Sequence, residues 1–207
     1  MDVAIIDYGV SNLHSVKEAC LKVGLSVTVT SESERILESK VAILPGVGAF
    51  GEAMNQLEKF KLDQCIVEFV KTGKPFIGIC LGLQLLFEKS DEFGSNKGLG
   101  LIKGSVKKFK FNFIEGTKYP VPKVGWNKIK KCSQSWEKTF LGNNNEEDFM
   151  YFVHSYYVDP KDKDIILSKT KYGNQSYCSS IQFNNIFATQ FHPEKSGDVG
   201  MRIYEKI

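Results

Sequence analysis

The sequence is poor in the residues that several classes of protein require. It has 3 histidines and 5 cysteines in 207 residues, without a Cys-x-x-Cys pair, so neither a zinc site nor a disulfide framework is expected. No apolar run approaches the ~20 residues that a membrane-spanning helix needs. The segment Met1–Asp7 has a strand pattern rather than that of a secretory signal. Together these features predict a cytoplasmic protein with reduced thiols, no bound metal and no membrane contact.

Charge is also nearly balanced along the chain. The 27 basic residues outnumber the 24 acidic ones by only three, and the lysines are scattered, as on a solvated surface. Nucleic acid is therefore not an expected partner. Hydrophobic residues make up 42% of the chain, enough for a substantial core, and no repeat or linker interrupts it. We therefore predict a single domain over residues 1–207.

The first half of the chain alternates short apolar strands with helices. Strands are predicted at Val3–Ile6, Leu25–Val29, Val41–Leu44 and Phe76–Ile79. Helices are predicted at residues 12–23, 49–59, 62–71 and 81–88. Strands that are apolar throughout and alternate with helices indicate a parallel sheet covered on both faces.

The second half is richer in strands. They are predicted at Ser105–Phe113, Val124–Lys130, Met150–Val158, Ile165–Lys171, Ser176–Phe183 and Ile186–Gln190, before a last helix at Gly197–Glu205. Turn residues separate several of them, which favours antiparallel or mixed pairing. The sequence thus predicts an α/β fold with a three-layer, open mixed sheet that is mostly parallel in its first half.

The pentapeptide Gly78-Ile79-Cys80-Leu81-Gly82 lies between a predicted strand and a predicted helix. A small-x-nucleophile-x-small pattern at such a junction is typical of a tight elbow, in which the glycines allow close backbone contact and the central side chain is presented. The start of a helix favours negative charge on a thiol. By position alone, a buried structural cysteine is an equally good interpretation of Cys80.

A second segment, Gln190-Phe191-His192-Pro193-Glu194, follows another apolar run. A cysteine nucleophile needs a base to take its proton, and the base needs a third group to orient it. His192 and Glu194 have the residue types for these two roles. Because Cys80, His192 and the loop Pro45–Gly48 all follow predicted strands, they are expected to meet at the carboxyl edge of the sheet.

These two segments resemble those of the class I, triad-type glutamine amidotransferases, and the resemblance covers essentially the whole chain. Within that family the chain is most similar to the glutaminase subunits of imidazole glycerol phosphate synthases, enzymes of histidine biosynthesis. The resemblance rests on segments at residues 7–16, 44–51, 78–87, 98–102, 124–127, 151–156 and 190–196. The segments at 78–82 and 190–194 are common to the wider class, whereas Asp7–Gly9, Gly125–Asn127 and Val153–Tyr156 are much narrower. The resemblance implies the flavodoxin-like fold of the family.

The resemblance implies that Cys80 attacks the side-chain amide of glutamine, with His192 as base and Glu194 as its orienting partner. The backbone N–H groups of Leu81 and of the loop at Val47 or Gly48 would stabilise the oxyanion, and no cofactor is implied. The family's substrate-binding positions correspond here to Gly48, Gly51, Gln84, Ser155 and Tyr156.

A partner subunit is also implied. In the family a (β/α)8-barrel synthase forms a heterodimer with the glutaminase, receives its ammonia and makes imidazole glycerol phosphate and AICAR. The glutaminase is nearly silent until the barrel is bound, and a peptide flip in the Gly46–Gly48 loop would explain this. The docking surface would include residues 7–12 and Gly125–Asn127.

The acceptor of the ammonia stays open at this point, because Ser11, Lys123 and Val124 depart from the family's pattern. One alternative is a paralogous glutaminase that supplies a synthase amidating a cell-surface sugar. A non-catalytic module on the same fold would have lost part of the triad, and a cysteine peptidase would not need residues 153–156. His154 lacks a following carboxylate, so we interpret it as a structural or interface histidine.

Overall fold

The computed structural model describes residues 2–9, 12–110, 113–114 and 117–207. Ser11, which lies in one predicted docking segment, and residues 111–112 of the predicted strand Ser105–Phe113 fall outside this range. The strands, in chain order, are β1 Val3–Ile6, β2 Val27–Thr30, β3 Val41–Gly46, β4 Phe76–Cys80, β5 Phe87–Ser90, β6 Asn96–Lys97, β7 Ile102–Lys108, β8 Phe113–Ile114, β9 Thr117–Lys118, β10 Lys123–Lys128, β11 Lys130–Lys131, β12 Phe149–His154, β13 Tyr156–Pro160, β14 Ile166–Tyr172, β15 Gln175–Phe183 and β16 Ile186–Thr189.

A central sheet organises the molecule. Within the described residues it has eight strands in the order β11-β14-β15-β16-β4-β3-β1-β2. The half from β16 to β2 is parallel, and the half from β16 to β11 is antiparallel. The predicted mixed sheet is therefore confirmed. Its site-bearing strands β3, β4 and β16 are neighbours, which brings their carboxyl ends together.

Helices cover both faces of this sheet. They are α1 Leu13–Lys22, α2 Ser33–Glu38, α3 Phe50–Lys59, α4 Leu62–Lys71, α5 Leu81–Leu85 and α6 Gly197–Tyr204. Alternate residues of the parallel strands enter opposite cores. Ala4 and Leu44 pack with the helices from α2 to α5, whereas Ile5 and Ile43 pack with α1 and α6. Buried strands with apolar residues on both faces follow from this three-layer arrangement.

Smaller sheets carry the rest of the second half. One is the antiparallel pair β10–β12, another has the order β13-β7-β5-β6, and β8 pairs with β9. The segment predicted as one strand at Met150–Val158 is divided at Ser155 between two sheets. The predicted helix at 81–88 ends at Leu85, because Leu99 donates to the Leu85 carbonyl and the chain turns into β5.

Candidate active site

Cys80 lies at the point where β4 becomes α5, in a left-handed backbone conformation with φ +56°. Such a conformation is costly for a residue with a side chain and is held by its surroundings. A Cβ on Gly82 would overlap the carbonyl oxygen of Leu44, and one on Gly78 would lie 3.0 Å from the Gly82 oxygen. The glycines of the pentapeptide are thus required by close backbone packing, as expected for an elbow.

His192 and Glu194 follow β16 and form a buried pair. The His192 Nδ1 atom lies 2.8 Å from Glu194 Oε1, and the two side chains are 2% and 1% exposed. Burial by itself lowers the pKa of His192, but the Cys80 thiol and the Glu194 carboxylate outweigh burial and raise it to about 10. An imidazole with a raised pKa is a strong base for the proton of the neighbouring thiol.

The backbone around His192 is held from two sides. Its N–H donates to the Tyr151 carbonyl of β12 at 2.9 Å, and the Ser196 hydroxyl donates to the His192 carbonyl at 2.6 Å. The same Ser196 oxygen accepts a hydrogen bond from the Tyr151 N–H at 3.0 Å. β12 and the turn after β16 are therefore joined beside the imidazole, which fixes its position relative to Cys80.

Gln84 and Gln190 form a buried amide chain that ends at Cys80. Gln84 Nε2 donates to the Tyr156 carbonyl at 3.0 Å and to Gln190 Oε1 at 3.1 Å. Gln190 Nε2 in turn lies 3.7 Å from Cys80 Sγ. Sequence reasoning assigned no role to Gln190, although it lies two residues before His192. Its only sequence signal is a polar residue at the end of an apolar strand.

A cavity of about 270 Å³ opens beside Cys80. Its lining residues are Val47, Gly48, Cys80, Leu81, Gln84, Glu92, Pro122, Val153, His154, Ser155, Tyr156 and His192. The residues predicted for the triad, the oxyanion site and the substrate site thus line this one cavity, with two exceptions. Glu194 lies behind His192, and Gly51 lies in α3 against Asn96, outside the cavity.

The loop after β3 supplies one side of the cavity. Gly48 has φ +95°, a conformation that favours glycine, and the Val47 side chain is 38% exposed. The Tyr8 hydroxyl donates to the Pro45 carbonyl at 3.0 Å and would meet a Cβ on Gly46 at 2.5 Å. The base of the loop is therefore anchored in the core, while its tip lies beside Leu81 at the cavity.

Glu92 is a second site residue that sequence reasoning missed. It lines the cavity, and its Oε2 atom accepts a hydrogen bond from the Phe50 N–H at 2.6 Å. No local pattern distinguishes Glu92 from other acidic residues in turns. Its position depends on the pairing of β5 with β6 and β7, which the sequence did not predict.

His154 lines the cavity but has its ring nitrogens engaged by the protein. Nδ1 lies 2.8 Å from the Tyr156 oxygen and Nε2 lies 3.3 Å from the Tyr177 hydroxyl. Burial lowers the pKa of His154 to about 3, which keeps the ring neutral. These contacts give His154 a structural position and leave His192 as the histidine beside both a thiol and a carboxylate.

Lys123 pairs with His154 across β10 and β12 and is 1% exposed. Its Nζ has no hydrogen-bond partner in the described part of the chain, but lies 3.8 Å from the Phe152 ring centroid. Burial lowers the pKa of Lys123 to about 7. Among the described residues, an aromatic face and not an anion thus stabilises the charged form of this buried lysine.

The residues that the structure describes contain no group of three or more His, Cys, Asp or Glu side chains that could hold a metal ion. None of their helices is long and apolar enough to cross a membrane.

Comparison with known proteins gives consistent matches over nearly the full length. The family model described as "Glutamine amidotransferase class-I" matches residues 4–206. The chain is 47% identical to imidazole glycerol phosphate synthase subunit HisH of Aquifex aeolicus, over 100% of this chain and 96% of that protein. It is 43% identical to the same-named subunit of Bacillus subtilis, over 97% of this chain and 92% of that protein.

Solved structures agree on the fold. The structure of PurLQS from Thermotoga maritima superposes with a TM-score of 0.77 at 17% identity, covering 100% of this chain and 96% of that one. A structure described as a glutamine amidotransferase superposes with a TM-score of 0.73 at 15% identity. At such identities the similarity establishes the architecture alone.

Proposed function

Since the chain belongs to the class-I glutamine amidotransferase family, we propose that it is the glutaminase subunit of an imidazole glycerol phosphate synthase of histidine biosynthesis. It hydrolyses glutamine to glutamate and ammonia. The observation that carries the catalytic assignment is the buried Cys80–His192–Glu194 arrangement, in which Cys80 and His192 line the cavity and Glu194 lies behind His192.

The proposed reaction begins with proton transfer from the Cys80 thiol to His192 Nε2. The sulfur attacks the side-chain amide carbon of glutamine, and the carbonyl oxygen takes the negative charge. When the C–N bond breaks, His192 returns its proton to the nitrogen, and ammonia leaves. His192 then takes a proton from water, whose oxygen attacks the thioester carbon. As the C–S bond breaks, His192 returns this proton to the Cys80 sulfur, and glutamate leaves. Glu194 holds the imidazole through Nδ1 in both halves of the cycle.

The oxyanion would be stabilised by the Leu81 N–H and by an N–H from the loop at Val47 or Gly48. One such donor is worth ~2.7–4 kcal/mol of the barrier. Both segments border the cavity beside Cys80, and Gly48 can turn because it has no side chain. A peptide flip at this loop would switch the site between idle and active states.

Substrate recognition is assigned to Gly48, Gly51, Gln84, Ser155 and Tyr156, of which all but Gly51 line the cavity. We add Glu92, because its carboxylate lies at the cavity wall and is suited to the α-ammonium group of an amino acid. Gln84 already donates to the Tyr156 carbonyl, so the two groups form one preorganised surface.

The proposed partner is a (β/α)8-barrel synthase subunit, bound as a heterodimer. Two apolar side chains of β10, Val124 and Trp126, are 60% and 52% exposed on the strand that pairs with cavity strand β12. Exposed apolar groups of this kind are typical of protein interfaces. The five free cysteines support placing the complex in the reducing cytoplasm.

The sugar-amidating alternative is not favoured, because the relatives with 47% and 43% identity are subunits of imidazole glycerol phosphate synthase. The acceptor assignment rests on those relatives, whereas the hydrolytic assignment also rests on the site.

Reconstitution tests this proposal. We expect the purified chain to hydrolyse glutamine slowly alone and at least ~100-fold faster with the barrel subunit and its ribulosyl substrate, since the oxyanion loop is set by the partner. Glutamine should then support synthesis of imidazole glycerol phosphate. As a control, ammonium salts should support synthesis by the barrel subunit without this chain. A complex that uses ammonium salts but not glutamine would contradict the proposal.

A further inference from the structure

The hairpin between β5 and β6 is fastened to the first turn of α3. Helix α3 begins after Ala49, which has no side chain that can cap its N-terminal N–H groups. Glu92 of the hairpin takes that role, because its Oε2 atom accepts from the Phe50 N–H at 2.6 Å. A carboxylate at a helix N-terminus satisfies a free donor and interacts favourably with the helix dipole.

Asn96 makes the second part of this attachment. Its Nδ2 atom donates to the Glu92 carbonyl at 2.7 Å and to the Gly94 carbonyl at 3.3 Å. Its Oδ1 atom lies so close to Gly51 that a Cβ added to this glycine would be only 2.6 Å from it. Asn96 thus holds the hairpin with one end of its amide and rests on the α3 backbone with the other. We call Glu92, Asn96, Phe50 and Gly51 the clasp.

The clasp lies directly beside the proposed oxyanion loop. Gly48 precedes Phe50 by two residues, so a shift in the first turn of α3 moves the loop tip. The hairpin also bends sharply to reach α3: Phe93 has φ +53° and Gly94 has φ +122°. A left-handed conformation at Phe93, whose side chain is 89% exposed, is maintained by the contacts around it rather than by packing of its own ring.

We propose that Asn96 is a positioning residue that, through the clasp, holds the Val47–Gly48 loop in register with Cys80 and links it to Glu92 at the cavity. This inference rests on the proposed glutaminase function. Because Glu92 lines the cavity and accepts a hydrogen bond from the α3 N-terminus, a glutamine α-ammonium group bound at Glu92 pulls on the helical turn that directly follows the loop with the oxyanion donor. Substrate binding and oxyanion stabilisation are thereby coupled.

Substitution of Asn96 separates this role from general packing. We expect Asn96→Ala, assayed with the barrel subunit, to lower kcat for glutamine hydrolysis at least ~10-fold, since misplacing one oxyanion donor costs up to 10²–10³. KM should change less than kcat. Asn96→Asp keeps an oxygen against Gly51 but loses the Nδ2 donor. Its kcat should therefore lie between those of the wild type and Asn96→Ala. Asn55→Ala, at an exposed position on α3, is the matched control and should retain wild-type kcat.

The rate at which iodoacetamide alkylates Cys80 separates the proposed role from a general structural defect. A structural defect at the site would lower this rate together with kcat, whereas loss of the positioning role would lower kcat alone. Alkylation needs the thiol and its base but forms no oxyanion, so its rate in Asn96→Ala should equal that of the wild type. Unchanged kcat in Asn96→Ala, or equal losses of kcat and alkylation rate, would overturn the clasp. A wild-type complex without glutaminase activity would instead overturn the proposed function.

Discussion

Replacing Cys80 by alanine is expected to lower kcat for glutamine hydrolysis at least ~10⁴-fold when the barrel subunit is present. Without the sulfur no thioester forms, and His192 has no nucleophile to activate. The remaining turnover would come only from substrate binding and the oxyanion donors acting on water. Because alanine also has a Cβ, it meets the same backbone constraint at φ +56° as cysteine, so folding should be preserved.

The control for this substitution is another cysteine of the chain. Cys132 follows β11, away from the cavity, and Cys132→Ser should retain glutaminase activity. Synthesis from ammonium salts should be equal in complexes that contain wild-type or Cys80→Ala subunits, because the barrel then needs no hydrolysis. Glutamine turnover by Cys80→Ala within tenfold of the wild type would exclude Cys80 as the nucleophile.

The second large effect is on stability. We expect Lys123→Met to raise the free energy of unfolding by ~1–3 kcal/mol near pH 6, because it removes a buried charge that has no anionic partner among the described residues. The lowered pKa implies a cost of up to ~5 kcal/mol at ~1.4 kcal/mol per pH unit. The cation–π contact with the Phe152 ring offsets ~2 kcal/mol of this cost.

The effect has a defined pH dependence. The pKa of Lys123 falls from 10.5 to about 7 on folding, so between these values the unfolded chain binds more protons than the folded one. Stability therefore rises with pH across this window, and the cost of burying the charge is fully present below pH 7. The advantage of Lys123→Met should be largest below pH 7 and disappear near pH 10.5. The other titratable groups around the Lys123 side chain are His154, Tyr172 and Tyr177. They are the same in both proteins, so the difference in stability between the proteins reports the titration of Lys123.

Urea denaturation of both proteins at a series of pH values measures the difference directly. Lys138→Met, at an exposed position, is the control and should change stability by less than ~0.5 kcal/mol at every pH. A Lys123→Met protein that is less stable than the wild type at pH 6 would show that the aromatic contact outweighs the burial of charge.

Local patterns in the sequence were sufficient to predict the strands that carry the site. Apolar runs before Cys80 and His192 identified two buried strands, and their adjacency follows from the parallel sheet. The helix α2 was missed because its six residues are too few for a periodic pattern, and strand β5 was missed because its two central residues are charged and exposed, so it is not an apolar run. The contact between Gly51 and Asn96 was also not predictable, because it depends on a hairpin that is distant from Gly51 in the sequence.

The role of a polar residue was predictable only where the chemistry requires a second functional group at a fixed distance along the chain. His192 was separated from His154 because a carboxylate follows it two residues later, and the contacts of the two rings differ as that pattern suggested. Gln190 and Glu92 have no such spacing to other functional groups. Their positions depend on tertiary contacts with Gln84 and with the N-terminus of α3.

The central claim is that glutamine is attacked by Cys80. Its most direct test is labelling of the complex with a glutamine analogue in which a chloromethyl ketone replaces the side-chain amide, followed by peptide mass spectrometry. We predict one label per chain, located on Cys80 and not on Cys20, Cys65, Cys132 or Cys178. Glutamine should slow the labelling, and activity should fall in proportion to it. Complete labelling of Cys80 with hydrolysis retained, or inactivation by a label on another residue, would contradict the account.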